Sequence, residues 1–175
     1  KVKMFETNFK KYKKYSDKMF DILSEYTNVI ERFSIDECFV DLTHAPLKNK
    51  DIVETAYEIS ERIKKELGFT VNIGVANNKL LAKMASDFQK PDRVHTLFKH
   101  EIPIKMWKLP VGELFMVGRK SIPKLERLGI RTIQDLAQYD RKIILETFGK
   151  YGEMIWNYAN GIDYSEVETD YGNPK

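Results

Sequence analysis

The sequence predicts an α+β protein: a mostly antiparallel sheet with helices packed on one side, followed by a small all-helical region. Two observations predict the first part, namely amphipathic helical patterns and short apolar runs bounded by turn residues, which alternate up to about residue 98. A third observation predicts the second part, because apolar positions after His100 recur only at helical spacing. No internal repeat or low-complexity segment interrupts this pattern.

The composition is that of a soluble globular protein. The chain has 175 residues, of which 42% are hydrophobic and 31% charged, enough for one large domain or two small ones. No apolar run is long enough to span a bilayer and no signal peptide is visible, so we expect a cytoplasmic protein with no membrane partner. The single cysteine, Cys38, excludes an internal disulfide. The net charge of +3 is too small to identify a partner.

The first helix is predicted over about residues 8–26, with Asn8 or Thr7 as a cap. Its apolar positions begin at Phe9, and lysines lie on the opposite face. An amphipathic pattern then predicts a second helix that Gly68 ends, as glycine often does. Alternating apolar residues predict the next strand, and Lys90-Pro91-Asp92 ends the helix that follows it. The predicted elements after the hairpin described next are a helix at 51–67, a strand at 70–75, a helix at 79–88 and a strand at 93–98.

An acidic hairpin at about residues 28–42 is the centre of the first part. Apolar residues lead into Ser34-Ile35-Asp36-Glu37 and leave through Cys38-Phe39-Val40-Asp41, which predicts two strands with Asp36 and Glu37 at or beside a tight turn. At a turn neighbouring side chains can converge, and convergent carboxylates suit a hard cation such as Mg²⁺. Taken alone, the pattern is more often that of a solvated turn.

Three lysines lie on or just past the helix predicted over residues 79–88. Lys79 and Lys83 are one turn apart and therefore on the same face, and Lys90 is held by the proline after it. A triphosphate needs cations at fixed positions near its metal, which these lysines could supply. Lone lysines are usually surface residues, so this stretch is not decisive alone.

The second part reads as short helices with a domain boundary near residues 98–101. A run from Leu114 to Ile130 has the form of a helix-hairpin-helix, in which a glycine turn aims backbone amides at an anion. The residues of that turn are Val117, Gly118, Arg119, Lys120 and Ser121, and their natural ligand is a DNA phosphate. An ordinary αα-hairpin with a glycine turn is an equal alternative. Met116 stands where many such hairpins have a second glycine, which weakens the signal further. The predicted short helices are at 101–107, 111–115, 120–128, 132–137, 141–148 and 151–160.

Together these stretches resemble the Y-family of translesion DNA polymerases, of the DinB/UmuC type. Ser34 to Asp41 resembles the catalytic hairpin of that family's palm, residues 72–91 resemble its nucleotide-phosphate helix, and residues 109–130 resemble its thumb hairpin. The order and spacing of the three motifs agree from about Asn8 to Asp163.

The resemblance implies template-directed DNA synthesis past damaged bases by two-metal nucleotidyl transfer, as part of the SOS response to DNA damage. Asp36 and Glu37 would be two of three carboxylates that bind two Mg²⁺ ions. Lys90 would contact the incoming deoxynucleoside triphosphate, and Lys79 and Lys83 would contact DNA or phosphate. The amides at Val117 to Ser121 would hold the backbone of primer-template DNA, and Asp41 would be structural.

The resemblance also predicts the domain organisation. Residues 1–99 would be a partial palm, 100–165 a helix-hairpin-helix thumb, and 166–175 a linker toward an absent little finger. We expect an excised piece of a longer protein, since the first metal-binding aspartate, the fingers, and a C-terminal part that binds a sliding clamp find no counterpart. This piece is expected to be inactive alone, and its open sheet edge is expected to favour self-association.

Two other functions are alternatives to a polymerase. One is a non-catalytic DNA-binding module that uses the helix-hairpin-helix, with the palm as a scaffold only. The intact Asp36, Glu37 and Lys90 argue against a degenerate palm. The other, a nucleotidyl cyclase with a palm-like sheet, does not explain the thumb hairpin.

Overall fold

The computed structural model of the protein describes residues 3–4, 6–47 and 51–169. These residues form α-helices and short strands, so the predicted α+β class is confirmed. Short 3₁₀ or π segments lie at Lys99–Glu101, Ile102–Met106 and Val111–Glu113. The regular elements are α1 (Phe9–Ser24), β1 (Ile30–Arg32), β2 (Cys38–Val40), α2 (Ile52–Leu67), β3 (Ile73–Val75), α3 (Lys79–Asp87), β4 (Val94–Thr96), α4 (Ile122–Arg127), α5 (Ile133–Gln138) and α6 (Arg141–Ala159).

Two compact units divide the chain. The first comprises the residues up to Val71 together with those from Val167 onward, and the second comprises Asn72–Glu166. The predicted domain division at residue 99 is a different one and stays a prediction. Of the predicted linker, residues 170–175 lie outside the described residues.

In the first unit, α1 and α2 pack together and bury one face each. Asn8 caps α1 by accepting from the Lys11 amide at 3.0 Å, as predicted. Gly68 ends α2 in the left-handed region with φ 76°, also as predicted. The first turn of α1 differs from the prediction, since Phe9, the first predicted apolar position, is 72% exposed. Among the described residues of this unit, the buried apolar side chains are those of Met19, Phe20, Ile22, Leu23, Ala56, Ile59 and Ile63.

The sheet is where the prediction needs correction. Strands β1 and β2 pair antiparallel, with Ile30 opposite Val40 and Arg32 opposite Cys38. Strands β3 and β4 instead form a separate two-stranded sheet and run parallel, with Gly74 opposite His95. The reason is that α3 connects β3 to β4, and a helical crossover brings the second strand back in the same direction.

In the second unit, one continuous core joins α3 to the helices that follow it. Fully buried side chains on α3, α4, α5 and α6, such as Leu80, Leu125, Ile133 and Ile155, belong to the same cluster. Gly74 lets β3 lie directly against α3, because a Cβ at this position would be 1.9 Å from the carbonyl oxygen of Ala82. The two helices predicted on either side of residue 149 form one element that is broken at Gly149, where φ is 62° and ψ −143°.

Candidate active site and nucleic-acid interface

The acidic turn of the first unit is built around the hydroxyl of Ser34. This oxygen accepts from the amides of Asp36 at 3.3 Å and Glu37 at 3.1 Å, and it donates to Oδ1 of Asp36 at 2.7 Å. The amides of Phe33 and Ser34 both donate to the Glu37 carbonyl at 3.0 Å, which closes the loop. The backbone of the two acidic residues is therefore fixed by the chain itself, without help from a ligand.

The two carboxylates differ in exposure. Asp36 is exposed at the tip of the turn, whereas Glu37 is half-buried directly before β2. Carboxylate oxygens with water are the ligands that Mg²⁺ accepts, so the pair fits part of a magnesium site. Among residues 3–4, 6–47 and 51–169, no group of three His, Cys, Asp or Glu side chains could hold a metal ion.

The strands that carry the turn are anchored to α1 through Arg32. Its guanidinium pairs with Asp17 at 3.2 Å and lies 3.9 Å from the centre of the Phe20 ring. Beyond the turn, the rings of Phe33 and Phe39 meet edge to face with their centroids 5.7 Å apart. These contacts hold the base of the hairpin while its acidic tip stays open to solvent.

The groups that follow the turn have structural roles. Burial raises the pKa of the Cys38 thiol to about 12, so this residue is a protonated packing group. Hydrogen bonds from the hydroxyl and amide of Thr43 lower the pKa of Asp41. The Thr43 amide lies 2.8 Å from Oδ1 of Asp41, so this carboxylate caps a turn, in agreement with a structural role.

In the second unit, the lysines of α3 converge on one carboxylate that the sequence analysis did not single out. The ammonium of Lys90 lies 2.7 Å from Oδ1 of Asp87, and that of Lys83 lies 3.2 Å from Oδ2. Burial raises the pKa of Asp87, but the hydrogen bonds from the two lysines outweigh it, and the net pKa is lowered. The spacing between Lys83 and Asp87 is the common i, i+4 ion pair, a signal that could have identified this residue.

Lys79 points elsewhere. Its ammonium donates to the carbonyl of Glu166 at 3.2 Å, whereas that of Lys83 contacts Asp87. The start of α3 is also occupied: Asn78 caps the Leu81 amide at 2.9 Å, and Asp163 accepts from the Leu80 amide at 3.1 Å. An anion site at this helix N-terminus is therefore filled by the protein's own residues.

The turn before α4 presents unpaired backbone donors. The amides of Val117 and Ser121 donate to the carbonyls of Leu114 and Gly118 at 2.9 Å each, so those two are used internally. Within the described part of the chain, the amides of Gly118, Arg119 and Lys120 have no protein acceptor. The helix begins at Ile122 rather than Lys120, which leaves Arg119 and Lys120 in the exposed turn.

The residue that adopts the strained conformation in this turn is Met116, with φ 70°. Gly118 has no positive φ, and a Cβ there would meet nothing within 4 Å. Met116 thus occupies the conformation that a glycine favours, at the position where the sequence analysis noted that a second glycine was missing.

Two family models match the chain. Residues 1–87 match the impB/mucB/samB family, and residues 113–163 match the thumb domain of DNA polymerase iota. No helix among the described residues is long and apolar enough to cross a membrane.

Curated relatives are bacterial proteins. The chain is 52% identical to DNA polymerase IV of Clostridium acetobutylicum over 95% of its length, which is 42% of that relative. It is 44% identical to DNA polymerase IV 1 of Bacillus subtilis over 93% of its length, which is 39% of that relative. The chain therefore spans about two fifths of the length of the curated relatives it matches.

Solved structures agree in fold. The crystal structure of DinB from Sulfolobus solfataricus superposes with a TM-score of 0.82 at 25% identity, over 93% of this chain and 48% of that one. A ternary complex of Dbh, whose substrates are partially disordered, gives the same TM-score and identity over 93% of this chain and 49% of that one.

Proposed function

We propose that this chain is the palm and thumb portion of a DNA-directed DNA polymerase that copies damaged templates. The proposal follows because the chain belongs to the Y family of DNA polymerases. The observation that carries the proposal is the turn in which Ser34 fixes the backbone of two adjacent acids, Asp36 and Glu37. Its substrates would be primer-template DNA and deoxynucleoside triphosphates, and its setting the cytoplasm.

Asp36 and Glu37 are proposed to hold divalent metal, with Mg²⁺ as the ion that suits carboxylate oxygens and retained water. When bound, Mg²⁺ would acidify the primer 3′-hydroxyl and neutralise charge on the triphosphate. The protein's contribution is to fix the backbone that carries both carboxylates before substrate arrives. The open, exposed tip at Asp36 supports access by a large substrate.

Lys90 is proposed to contact the triphosphate, since its side chain is 54% exposed and its ammonium has three donors, so that it can bind a phosphate oxygen while it contacts Asp87. Lys83 and Lys79 are proposed to bind DNA or phosphate near it. The turn at Val117 to Ser121 is proposed to hold the duplex backbone as a helix-hairpin-helix. Its free amides at Gly118, Arg119 and Lys120 support backbone rather than base contacts.

Three finer points belong to the same proposal. These residues alone are expected not to polymerise, since the family's chemistry uses a third metal-binding carboxylate that we did not find among the described residues. The remainder of a full-length protein is expected to engage a sliding clamp. The same resemblance supports the proposed domain limits at residues 99 and 165. It also supports a proposed role in the SOS response to DNA damage.

The testing experiment is primer extension across an abasic template site with the full-length protein and its Glu37→Gln variant. We expect extension by the native protein and a loss of at least a hundredfold in the variant, because the amide cannot replace a metal-binding carboxylate. Glu61→Gln, an exposed acid on α2, is the matched control and should retain full activity.

A second candidate, a DNA-backbone-binding module without catalysis, is favoured only by the free amides of the α4 turn. The same experiment separates the two. Failure of the native protein to extend any primer, with DNA binding retained and falling steeply with salt, would establish the binding module and overturn the polymerase proposal.

A further inference from the structure

Asp87 is the last residue of α3 and holds two cations at once. Its two oxygens lie 2.7 Å from Lys90 and 3.2 Å from Lys83, so two ammonium groups that would repel each other are kept together. The Lys83 side chain is only 16% exposed, whereas that of Lys90 is 54% exposed. Lys83 is therefore the fixed member of this group and Lys90 the accessible one.

When a lysine binds phosphate, its long flexible side chain loses conformational entropy, and this loss weakens binding. Lys90 follows the end of α3 by three residues, and its contact with Asp87 restricts that freedom in advance. Because Asp87 belongs to the helix and Lys90 does not, the carboxylate ties the ammonium to a rigid element.

If Asp87 positions Lys90, its removal should weaken the binding of a triphosphate, whereas an argument from net charge alone predicts stronger binding. Two lysines and one carboxylate carry a net charge of +1, and removing the carboxylate charge would raise it to +2. If simple attraction dominated, the loss of Asp87 would strengthen the binding of a triphosphate. The direction of the effect therefore distinguishes positioning from bulk electrostatics.

We propose that Asp87 is a positioning residue for nucleotide binding, which holds the Lys90 ammonium in place for the incoming triphosphate. This inference rests on the proposed function, and specifically on the contact between Lys90 and the nucleotide. Asp87 itself touches no substrate, and it acts only through the lysines that it orders.

The test is steady-state nucleotide incorporation by the full-length protein with Asp87→Asn, Lys90→Ala and the double variant. Asp87→Asn keeps the shape of the side chain and removes its charge. We expect it to raise KM for the deoxynucleoside triphosphate about five- to tenfold with kcat changed less than twofold. Asp87→Glu should recover most of the loss. Glu146→Gln, which removes an exposed i, i+4 partner of Lys142, is the control and should leave KM unchanged.

The double variant tests whether Asp87 acts through Lys90. In the Lys90→Ala background, Asp87→Asn should have little further effect on KM, because Lys83 remains but the ammonium that Asp87 holds for the triphosphate is absent. An unchanged or lowered KM in Asp87→Asn, or an undiminished effect in the double variant, would overturn the inference while Lys90→Ala still raised KM. An unchanged KM in Lys90→Ala would instead remove the nucleotide role of Lys90, and with it the premise.

Discussion

The hydroxyl of Tyr151 donates to the main-chain carbonyl of Met116 at 3.2 Å. This hydrogen bond joins two turns of the second unit: the one that leads into α4 and the one at which α6 is broken at Gly149. It also fixes the carbonyl of a residue whose own backbone conformation is unfavourable. The geometry of the exposed turn is therefore maintained by a contact from α6 as well as by its own sequence.

Met116→Gly is expected to stabilise the chain. A residue with a Cβ at φ 70° costs roughly 1–2 kcal/mol relative to glycine, although glycine also increases the entropy of the unfolded chain. The Met116 side chain is 55% exposed, so little burial is lost. We expect a net gain of about 0.5–1 kcal/mol in the free energy of unfolding by urea titration.

Gly118→Ala is the matched control for this substitution. Its backbone has no positive φ and its Cβ would meet open space, so the free energy of unfolding should change by less than about 0.5 kcal/mol. A loss of stability in Met116→Gly would contradict the assigned strain.

Gly74→Ala is expected to destabilise the second unit by about 1–3 kcal/mol or more. The new methyl group would lie 1.9 Å from the Ala82 carbonyl oxygen and 2.7 Å from the Ser86 amide nitrogen, both backbone atoms of α3 that cannot turn aside. Thermal and urea unfolding would measure the loss, again beside Gly118→Ala. Equal stability of the two variants would mean that β3 does not lie this close to α3.

The start of α5 should give a pH-dependent contribution to stability. Hydrogen bonds from the amides of Arg131 and Thr132, at 3.0 and 2.8 Å, lower the pKa of Asp135 below its ordinary value of 3.8. A lowered pKa stabilises the fold above the unfolded value, and that contribution is lost as the pH falls through the lower, folded value.

Asp135→Asn is therefore expected to lower the free energy of unfolding by about 1 kcal/mol at neutral pH, which is the typical size of a capping interaction. The difference in the free energy of unfolding between the variant and the native chain should become smaller as the pH falls below about 4. Urea titrations at pH 7, 5 and 3 would measure it, with Glu126→Gln, an exposed acid on α4, as a control within about 0.5 kcal/mol at each pH. A difference that stays constant down to pH 3 would contradict a charge-dependent cap.

Arg119→Ala and Lys120→Ala are expected to weaken the binding of duplex DNA without regard to its sequence. Each side chain is exposed in the turn that presents the free amides, and each phosphate contact contributes about 0.9 to the slope of log K against log salt. Fluorescence anisotropy at several salt concentrations should show the slope falling by about that amount for each substitution. Lys65→Ala, on α2, should leave it unchanged; an unaltered slope in Arg119→Ala and Lys120→Ala would place the DNA elsewhere.

Local features of this protein followed from the sequence, because they depend on side chains only a few residues apart. Asn8 caps α1 and Gly68 ends α2 as predicted, since a cap needs only its own side chain and the next turn of backbone. The acidic turn was located for the same reason: Ser34, Asp36 and Glu37 organise one another within four residues. The Asp87 ion pairs lie within this range too, although the sequence analysis did not single them out.

The prediction of a mostly antiparallel sheet was wrong for β3 and β4, which pair parallel. Three-residue strands carry no signal of their direction, and the α3 crossover decides it. Tertiary packing likewise brought Asp163 to the Leu80 amide across 83 residues and Tyr151 to Met116 across 35. Contacts of this kind depend on how the helices share one core, to which the whole second unit contributes. The sequence by itself therefore determined the elements and the chemical groups at their ends, while the tertiary structure decided which of those groups meet and which amides stay free.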